Sequence, residues 1–358
     1  MPRILIYEEC LAAGSAGPLG DEARVFLSEG LAMTLAVAED FAKLPEWQVR
    51  VLLANECISL TPAEVPWQWV EVRDDLESTL AREAAAADAT LVIAPECGGL
   101  LEQRAQAVID AGGKLLGPSP EFIALASDKT AIIDHLMSQG VQTTRGYRGT
   151  LTELISQIDL FPFIVKPNDG AGATDVHLFY FLEELADWIA HREAAGTTAD
   201  EHQVWRAEKY VPGTKVSCSV MCGANGNLTL RPATQDVRFS PLPYDQASYH
   251  GGALRLTPEE EKRARSLAQK AIAALPPTRG YLGIDMILVP PFLLGVQDTV
   301  IEVNPRLTTS YLGLRAATDD SLAEAMWRIA EGETVNIAWQ PNHVEFTKQG
   351  QVFLRERS

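Results

Sequence analysis

The sequence predicts an α/β front end followed by α+β lobes, and three observations lead there. Short apolar strands alternate with amphipathic helices over the first third, the alternation breaks down after about residue 118, and strands dominate the remainder. Ile4 to Tyr7, Val49 to Leu53, Trp69 to Val72, Leu91 to Ala94 and Leu115 to Leu116 read as strands. Helices are expected from about Glu22 to Phe41, Leu76 to Ala87 and Leu101 to Ala111. Such alternation builds a parallel sheet covered on both faces. A Rossmann dinucleotide site is excluded, because Glu8-Glu9-Cys10 follows the first strand where Gly-x-Gly-x-x-Gly would be needed.

Ser119-Pro120-Glu121 then opens a short helix by its cap and N1 proline. From about Val141 to Arg206 the order is strand, helix, strand, loop, strand, helix, which makes a small α+β lobe. The remainder, from Ala207, is richer in strands, with one helix announced by Thr257-Pro258-Glu259-Glu260, a capping box with proline at N1. The expected organisation is a parallel α/β domain over 1–118, linker helices and the small α+β lobe over 119–206, and a strand-rich C-terminal lobe over 207–358.

A chain of 358 residues exceeds what one hydrophobic core supports. Its 48 acidic residues against 30 Lys and Arg give a net charge of −18, and no basic run is present, so nucleic acid is not an expected partner. The acidic surplus reads as solubility. No uncharged apolar stretch reaches about 18 residues, and Met1 to Tyr7 reads as a strand rather than a signal peptide, so no membrane association and a cytoplasmic location are expected. Five scattered cysteines suit a reducing compartment. Cys218 and Cys222 share a strand face with Val216 and Val220, a pattern of core packing rather than metal binding.

Chemistry concentrates in a few short segments. In Ile301-Glu302-Val303-Asn304-Pro305-Arg306, Glu302 and Asn304 project from one face of a strand, and Asp285 can reach them from a neighbour. Two carboxylates and an amide oxygen suit a hard cation that shares its shell with phosphates; a strand-end turn with solvated acids is the alternative. Phe163 to Pro167 is an apolar strand carrying Lys166, followed by a loop with Gly170, Ala171 and Gly172 whose amides are free to wrap phosphate oxygens. It is not a Walker A loop, since the lysine precedes the glycines. Lys129 stands at the start of a helix running toward His135 and Ser138 that Ser127 is expected to cap, and a solvated first-turn lysine is the alternative. Arg206 to Gly213 reads as a strand entering a turn, offering adenine a carboxylate and free backbone groups.

Taken in order, these segments resemble the ATP-grasp superfamily of carboxylate–amine ligases. The resemblance implies ATP and magnesium, with manganese as an alternative metal, bound between a small lid lobe and a strand-rich lobe behind a pre-ATP-grasp domain. Carried over, Lys129 and Lys166 with Gly170, Ala171 and Gly172 meet the phosphates, Glu208, Lys209 and Val211 meet adenine, and Asp285, Glu302 and Asn304 hold metal. Lys215 stands where many members carry a ribose-binding acid. Glu29-Gly30 with Met33, Ile93 to Leu101, Leu116 to Ser119 and Asn304 to Tyr311 are similar to the tyramine–glutamate ligase branch of methanofuran and methylofuran biosynthesis. That likeness implies glutamate and an aromatic amine or amino acid as small-molecule substrates; a homo-oligomer is compatible with it.

Lys166, Arg306 and Arg238 are the catalytic candidates, Arg238 having a surface arginine of a β-ribbon as its alternative. Tyr249 and His250 are candidates for the acceptor pocket, although a histidine beside two glycines also fits a turn. Glu8 and Glu96 lie near strand ends, where open α/β sheets place ligands. With Glu29, which equally suits a solvated helix face, they are candidates for the acceptor amine. Thr308 and Ser310 are candidate donors to a substrate carboxylate. Three function classes stay open: the glutamate–aromatic amine ligase, a ligase for another acid and amine, and a nucleotide-binding protein without chemistry.

Overall fold

Strand β1 (Arg3–Glu8) shows why the front of the chain is a parallel sheet. Its apolar run is unbroken, with Ile4 and Ile6 entering one core and Leu5 and Tyr7 the other. A strand buried on both faces needs both. The computed structural model describes residues 1–20, 23–73, 75–196, 203–240, 244 and 246–355. After β1 come α1 (Glu9–Ala13), α2 (Ala23–Ala42), β2 (Gln48–Ala54), β3 (Gln68–Val72), α3 (Leu76–Ala85), β4 (Ala89–Ile93) and α4 (Leu100–Asp110). The four strands pair in parallel in the order β3-β2-β1-β4. Glu22, expected to open α2, lies outside the described residues. Leu115 to Leu116 does not become a strand: Leu115 makes one parallel bridge to Thr90. Gly112-Gly113 before it and Gly117-Pro118 after it leave too few residues for a ladder.

Helices α5 (Pro120–Ser127) and α6 (Lys129–Ser138) link the domain to the lobes. Ser119 caps α5 as expected, accepting the Phe122 N–H at 3.3 Å. The cap of α6 is a correction: Ser127 ends α5, and Asp128 Oδ1 accepts the Ala131 N–H at 2.8 Å. A cap must sit on extended backbone, and Asp128 is the residue where the chain leaves one helix and enters the next.

The small lobe holds β5 (Gly146–Gly149), α7 (Leu151–Gln157), β6 (Phe163–Pro167), β7 (His177–Phe179), α8 (Leu182–Ala194) and β8 (Trp205–Lys209). Its antiparallel sheet runs β5-β8-β6-β7 over a core of Phe163, Phe179, Trp188 and Trp205. Strand β8 crosses the expected lobe boundary at residue 206, because Glu208 pairs with Gly146 on one side and Ile164 on the other. The turn between lobes therefore begins after Lys209.

The large lobe holds β9 (Thr214–Gly223), β10 (Gly226–Phe239), β11 (Ala247–Leu254), α9 (Pro258–Ala274), β12 (Gly280–Leu288), β13 (Thr299–Asn304), α10 (Ser310–Arg315), α11 (Leu322–Ala330), β14 (His343–Thr347) and β15 (Val352–Arg355). The strands form one antiparallel sheet, β13-β12-β9-β10-β11-β14-β15. Thr257 and Glu260 form the capping box of α9. Val216, Cys218, Val220 and Cys222 pack against α5, α6 and α9, so both cysteines are core residues. The opposite face packs on α10, α11 and, through them, on α2. Asp40 of α2 accepts from Tyr311 Oη at 2.8 Å and from Arg315 at 2.9 and 2.6 Å, which fastens the front domain to the large lobe. Strand β15 leaves Val352, Phe353 and Leu354 exposed and has no buried period to announce it.

Gly280 occupies φ +82°, and a Cβ there would stand 2.5 Å from the Gly117 Cα. Both the backbone conformation and the contact penalise a side chain, so Gly280→Ala should cost about 2 kcal/mol or more. Urea unfolding checks this, and an unchanged midpoint would contradict the close approach of β12 to the segment before α5.

Candidate active site

Lys166 and Glu302, which come from different sheets, line one cleft of about 410 Å³ between the two lobes. Lys166 sits near the end of β6, and its register partner is Arg206 on β8. Glu208, two residues beyond Arg206, shares their face. Its Oε1 lies 2.6 Å from Lys166 Nζ, and its Oε2 accepts from Arg206 Nε and Thr144 Oγ1 at 2.9 Å each. Burial alone would raise the Glu208 carboxyl, but Lys166 and Arg206 overcome it and hold the group at about 2. Burial lowers the Lys166 ammonium in turn. The expectation of a free Glu208 carboxylate for adenine is thus corrected, since both oxygens are engaged. Lys209 and Tyr210 donate their N–H groups to Arg145 and Pro162 carbonyls at 3.0 Å, and Val211 lines the cleft just beyond, with Ile164, Ile287 and Ile301 as apolar wall. The N–H groups of Lys209 and Tyr210, expected to be free for adenine, are therefore engaged as well, and what this side of the cleft offers a flat base is its apolar wall.

Lys129, at the first turn of α6, is buried rather than solvated. Its Nζ donates to the Gly170 carbonyl and lies 3.2 Å from Glu302 Oε1. Asn168 staples this turn to the glycine loop: its Oδ1 accepts from Thr130 N at 3.1 Å and Oγ1 at 2.7 Å, and its carbonyl accepts the Lys129 N–H at 2.9 Å. Gly170, Ala171 and Gly172 line the cleft. Gly172 has φ +64°, and a Cβ there would stand 3.1 Å from the Phe26 ring of α2. Asp169 Oδ2 accepts the Gly98 N–H at 3.0 Å, so the loop is tied to the front domain as well.

The acids come from the β12–β13 pair. Asp285 and Glu302 are directly opposed in register, and Asn304 lies two residues along on the same face. Asp285 Oδ2 accepts from Gln235 Nε2 at 3.1 Å, whereas Asp285 Oδ1 and Gln235 Oε1 are buried without a hydrogen-bond partner. Burial, with Glu302 alongside, raises the Asp285 carboxyl; for Glu302 burial is outweighed by Lys129, Lys166 and Lys215, which lower it. Unsatisfied buried oxygens on a set of hard donors fit a magnesium or manganese ion. Among the described residues no group of three His, Cys, Asp or Glu forms a metal cluster, so the fit rests on two carboxylates and an amide.

The far end of the cleft is lined by Arg306, Thr308, Thr309, Tyr249 and Glu29. Arg306 is held bidentately by Glu96, Nε to Oε1 at 2.9 Å and Nη2 to Oε2 at 3.0 Å; Glu96 itself is buried behind it. Tyr249 Oη and Thr309 Oγ1 are 2.6 Å apart. Five expected residues stand elsewhere, the first being Glu96, expected for the acceptor amine, which lies off the cleft lining with both oxygens taken by Arg306. Gln235, Val237 and Phe239 of β10 face the cleft, so Arg238 points outward, where it is exposed and paired with Asp236 at 2.6 Å. On β11, Ala247 and Tyr249 face in, while His250 is exposed and bonded to Ser248 Oγ at 2.9 Å. Ser310 is buried at the start of α10, away from the lining. Glu8 is a buried N-cap of α1, accepting the Leu11 N–H at 2.8 Å, and burial pushes its carboxyl up to about 8. Gln235 and Arg255 line the cleft without having been singled out for it, and so does Lys215, which the resemblance set where many members carry a ribose-binding acid. For Gln235 the period of β10 was the available signal, whereas Arg255 lies just past the end of β11.

A model of the ATP-grasp domain matches residues 126–310, more than half of the chain, and a model of the pre ATP-grasp 3 domain matches residues 49–123. The biotin carboxylase of Allochromatium vinosum is 27% identical over 187 residues, 49% of this chain and 40% of that protein. The chain therefore matches less than half the length of that relative. The tyramine–L-glutamate ligase of Methanocaldococcus jannaschii is 24% identical over 266 residues, 74% of this chain and 68% of the relative. An ATP-grasp superfamily protein of Archaeoglobus fulgidus superposes with TM-score 0.65 at 20% identity, covering 96% of this chain and 92% of that one. The biotin carboxylase domain of the Hydrogenobacter thermophilus 2-oxoglutarate carboxylase, solved with MgADP and bicarbonate, gives TM-score 0.68 at 17% identity over 96% and 73% of the two chains.

Glu208 makes the cleft sensitive to acid. A carboxyl depressed from 4.5 to about 2 contributes stability that is complete above pH 4.5 and lost as pH falls through 2. That contribution is on the order of 3 kcal/mol. The stability difference between the wild type and Glu208→Gln should be flat above pH 5 and shrink below 4.5, and unfolding titrations at several pH values would show it.

Proposed function

We propose, because this chain belongs to the ATP-grasp family, that it is an ATP-dependent carboxylate–amine ligase. The finer reading is a γ-glutamyl amide formed between glutamate and the amine of tyramine or tyrosine, as in methanofuran and methylofuran biosynthesis. One observation carries the activity: Lys129, Lys166, Asp285 and Glu302 converge on a single cleft. The alignment with tyramine–L-glutamate ligase over three-quarters of the chain supports the substrates.

A carboxylate oxygen attacks the γ-phosphorus of ATP, and the bond to the bridging oxygen breaks to release ADP. The amine nitrogen then bonds the acyl carbon, phosphate leaves, and the nitrogen loses a proton. Phosphoryl transfer asks a protein for position and charge compensation more than for covalent work. Lys129, Lys166 and the Gly170 to Gly172 amides hold the phosphates, while Glu208 and Arg206 orient Lys166. Magnesium, held by Asp285, Glu302 and Asn304, would supply further neutralisation of phosphate charge. Arg306, aimed by Glu96, is placed to stabilise the acyl oxygen. Arg238 and His250 have no part in the reaction, since both face away from the cleft.

A second reading, a ligase for another acid and amine, is favoured by the biotin carboxylases among the relatives. Incubation with ATP, magnesium, L-glutamate and either tyramine or tyrosine, with mass analysis for the γ-glutamyl product, separates the two. Product with either amine supports the finer reading; ADP release only with other pairs moves the assignment to the second. Lys166→Ala and Glu302→Ala should each lower turnover by about 100-fold or more, roughly 3 kcal/mol, while Arg238→Ala stays near wild type. Wild-type turnover in either of the first two would remove the assignment.

A further inference from the structure

We propose that Glu29 is the anchor for a primary ammonium group of a substrate, presented by the front domain at the end of the cleft beyond Arg306. This rests on the ligase reading and deepens it. Among the described residues lining the cleft, Glu29 is the only one drawn from the first 118. Its side chain is 14% exposed, and its counter-charge, Lys348 on the turn between β14 and β15, stands 3.7 Å away. Arg306 also acts on Glu29, with its charge shared with Glu96 at 2.9 and 3.0 Å. Burial raises the Glu29 carboxyl. A carboxylate whose burial outweighs the pull of Lys348 and Arg306 is incompletely compensated, which an incoming cation corrects.

The surroundings match an ammonium in particular. Its three N–H groups need several acceptors around one point. Glu29 supplies carboxylate oxygens, and Tyr249 and Thr309 bring hydroxyls to the same end. Thr308 also lines the cleft, with its hydroxyl buried on the Tyr281 side. Two substrates of an amide ligase carry this chemistry: the acceptor amine, and the α-ammonium of an amino-acid donor.

Glu29→Gln tests the proposal. With ATP and L-glutamate, hydroxylamine, a neutral nucleophile, captures the acyl phosphate as hydroxamate and reports the donor alone; the full reaction with tyramine reports the acceptor. KM for one of the two should rise about tenfold or more with kcat nearly unchanged, the loss expected for a charge-assisted contact. A rise for glutamate assigns the site to the donor, a rise for tyramine to the acceptor, and Glu29→Asp should recover part of either. Binding is read separately from turnover. Tyramine or glutamate should raise the melting temperature of the wild type more than 4-ethylphenol or glutarate, their amine-free counterparts, and Glu29→Gln should lose that difference. Should Glu29→Gln not fold, Lys348→Gln substitutes for it, lowering KM if the two ammonium groups compete. Unchanged KM in the variants, or a wild type that does not distinguish the amines from their counterparts, overturns the proposal. Failure of the ligase reading looks different: no ADP and no hydroxamate from the wild type, whatever the melting temperatures show.

Discussion

Buried charges must be paired, and in this chain the pairs that satisfy them cross from one structural unit to another. Lys129 opens a linker helix, yet its ammonium is compensated by Glu302 on β13, at the edge of the large sheet, and by the Gly170 carbonyl of the small lobe. Lys166 relies on Glu208, which also neutralises Arg206. An unpaired ammonium at such depth would lose its proton or draw in water. The cleft therefore exists only when helix, loop and two sheets are in place together.

The same logic joins the front domain to the rest. Asp40 on α2 receives Tyr311 and Arg315 from α10, and Glu96 after β4 receives Arg306 from the segment after β13. Gly98 binds Asp169 of the glycine loop. These contacts hold the front domain against the two lobes, and among its described residues Glu29 of α2 alone reaches the lining of the cleft. Helix α2 brings Glu29 to the cleft one turn before Met33 and two before Val37, on nearly the same side as these core residues, so the cleft begins where that core ends.

Two of the expected side chains, Arg238 and His250, are excluded by the arithmetic of strands. Each has a neighbour in the cleft, and a period of two sends the next residue to the other face. Their chemistry suited the proposed reaction; their position did not. In Ser310 and Glu8 burial intervenes instead, since one starts a helix packed in the core and the other caps a helix from beneath.

By itself the sequence determined most elements and the local pieces of the site. Apolar runs, capping residues and the break in strand–helix alternation are local signals. They marked the parallel sheet, the two lobes, the Lys166 strand with its glycine loop, and the shared face of Glu302 and Asn304, because those features are written in neighbouring residues. What only tertiary structure decided is long-range. It set the burial of Lys129, the engagement of Glu208 by Lys166 rather than by a ligand, the outward facing of Arg238 and His250, the entry of Lys215 and Arg255 into the cleft, and the unannounced β14–β15 hairpin. Each depends on which strand lies beside which and which face it turns inward, and no single segment carries that information until the sheets have assembled.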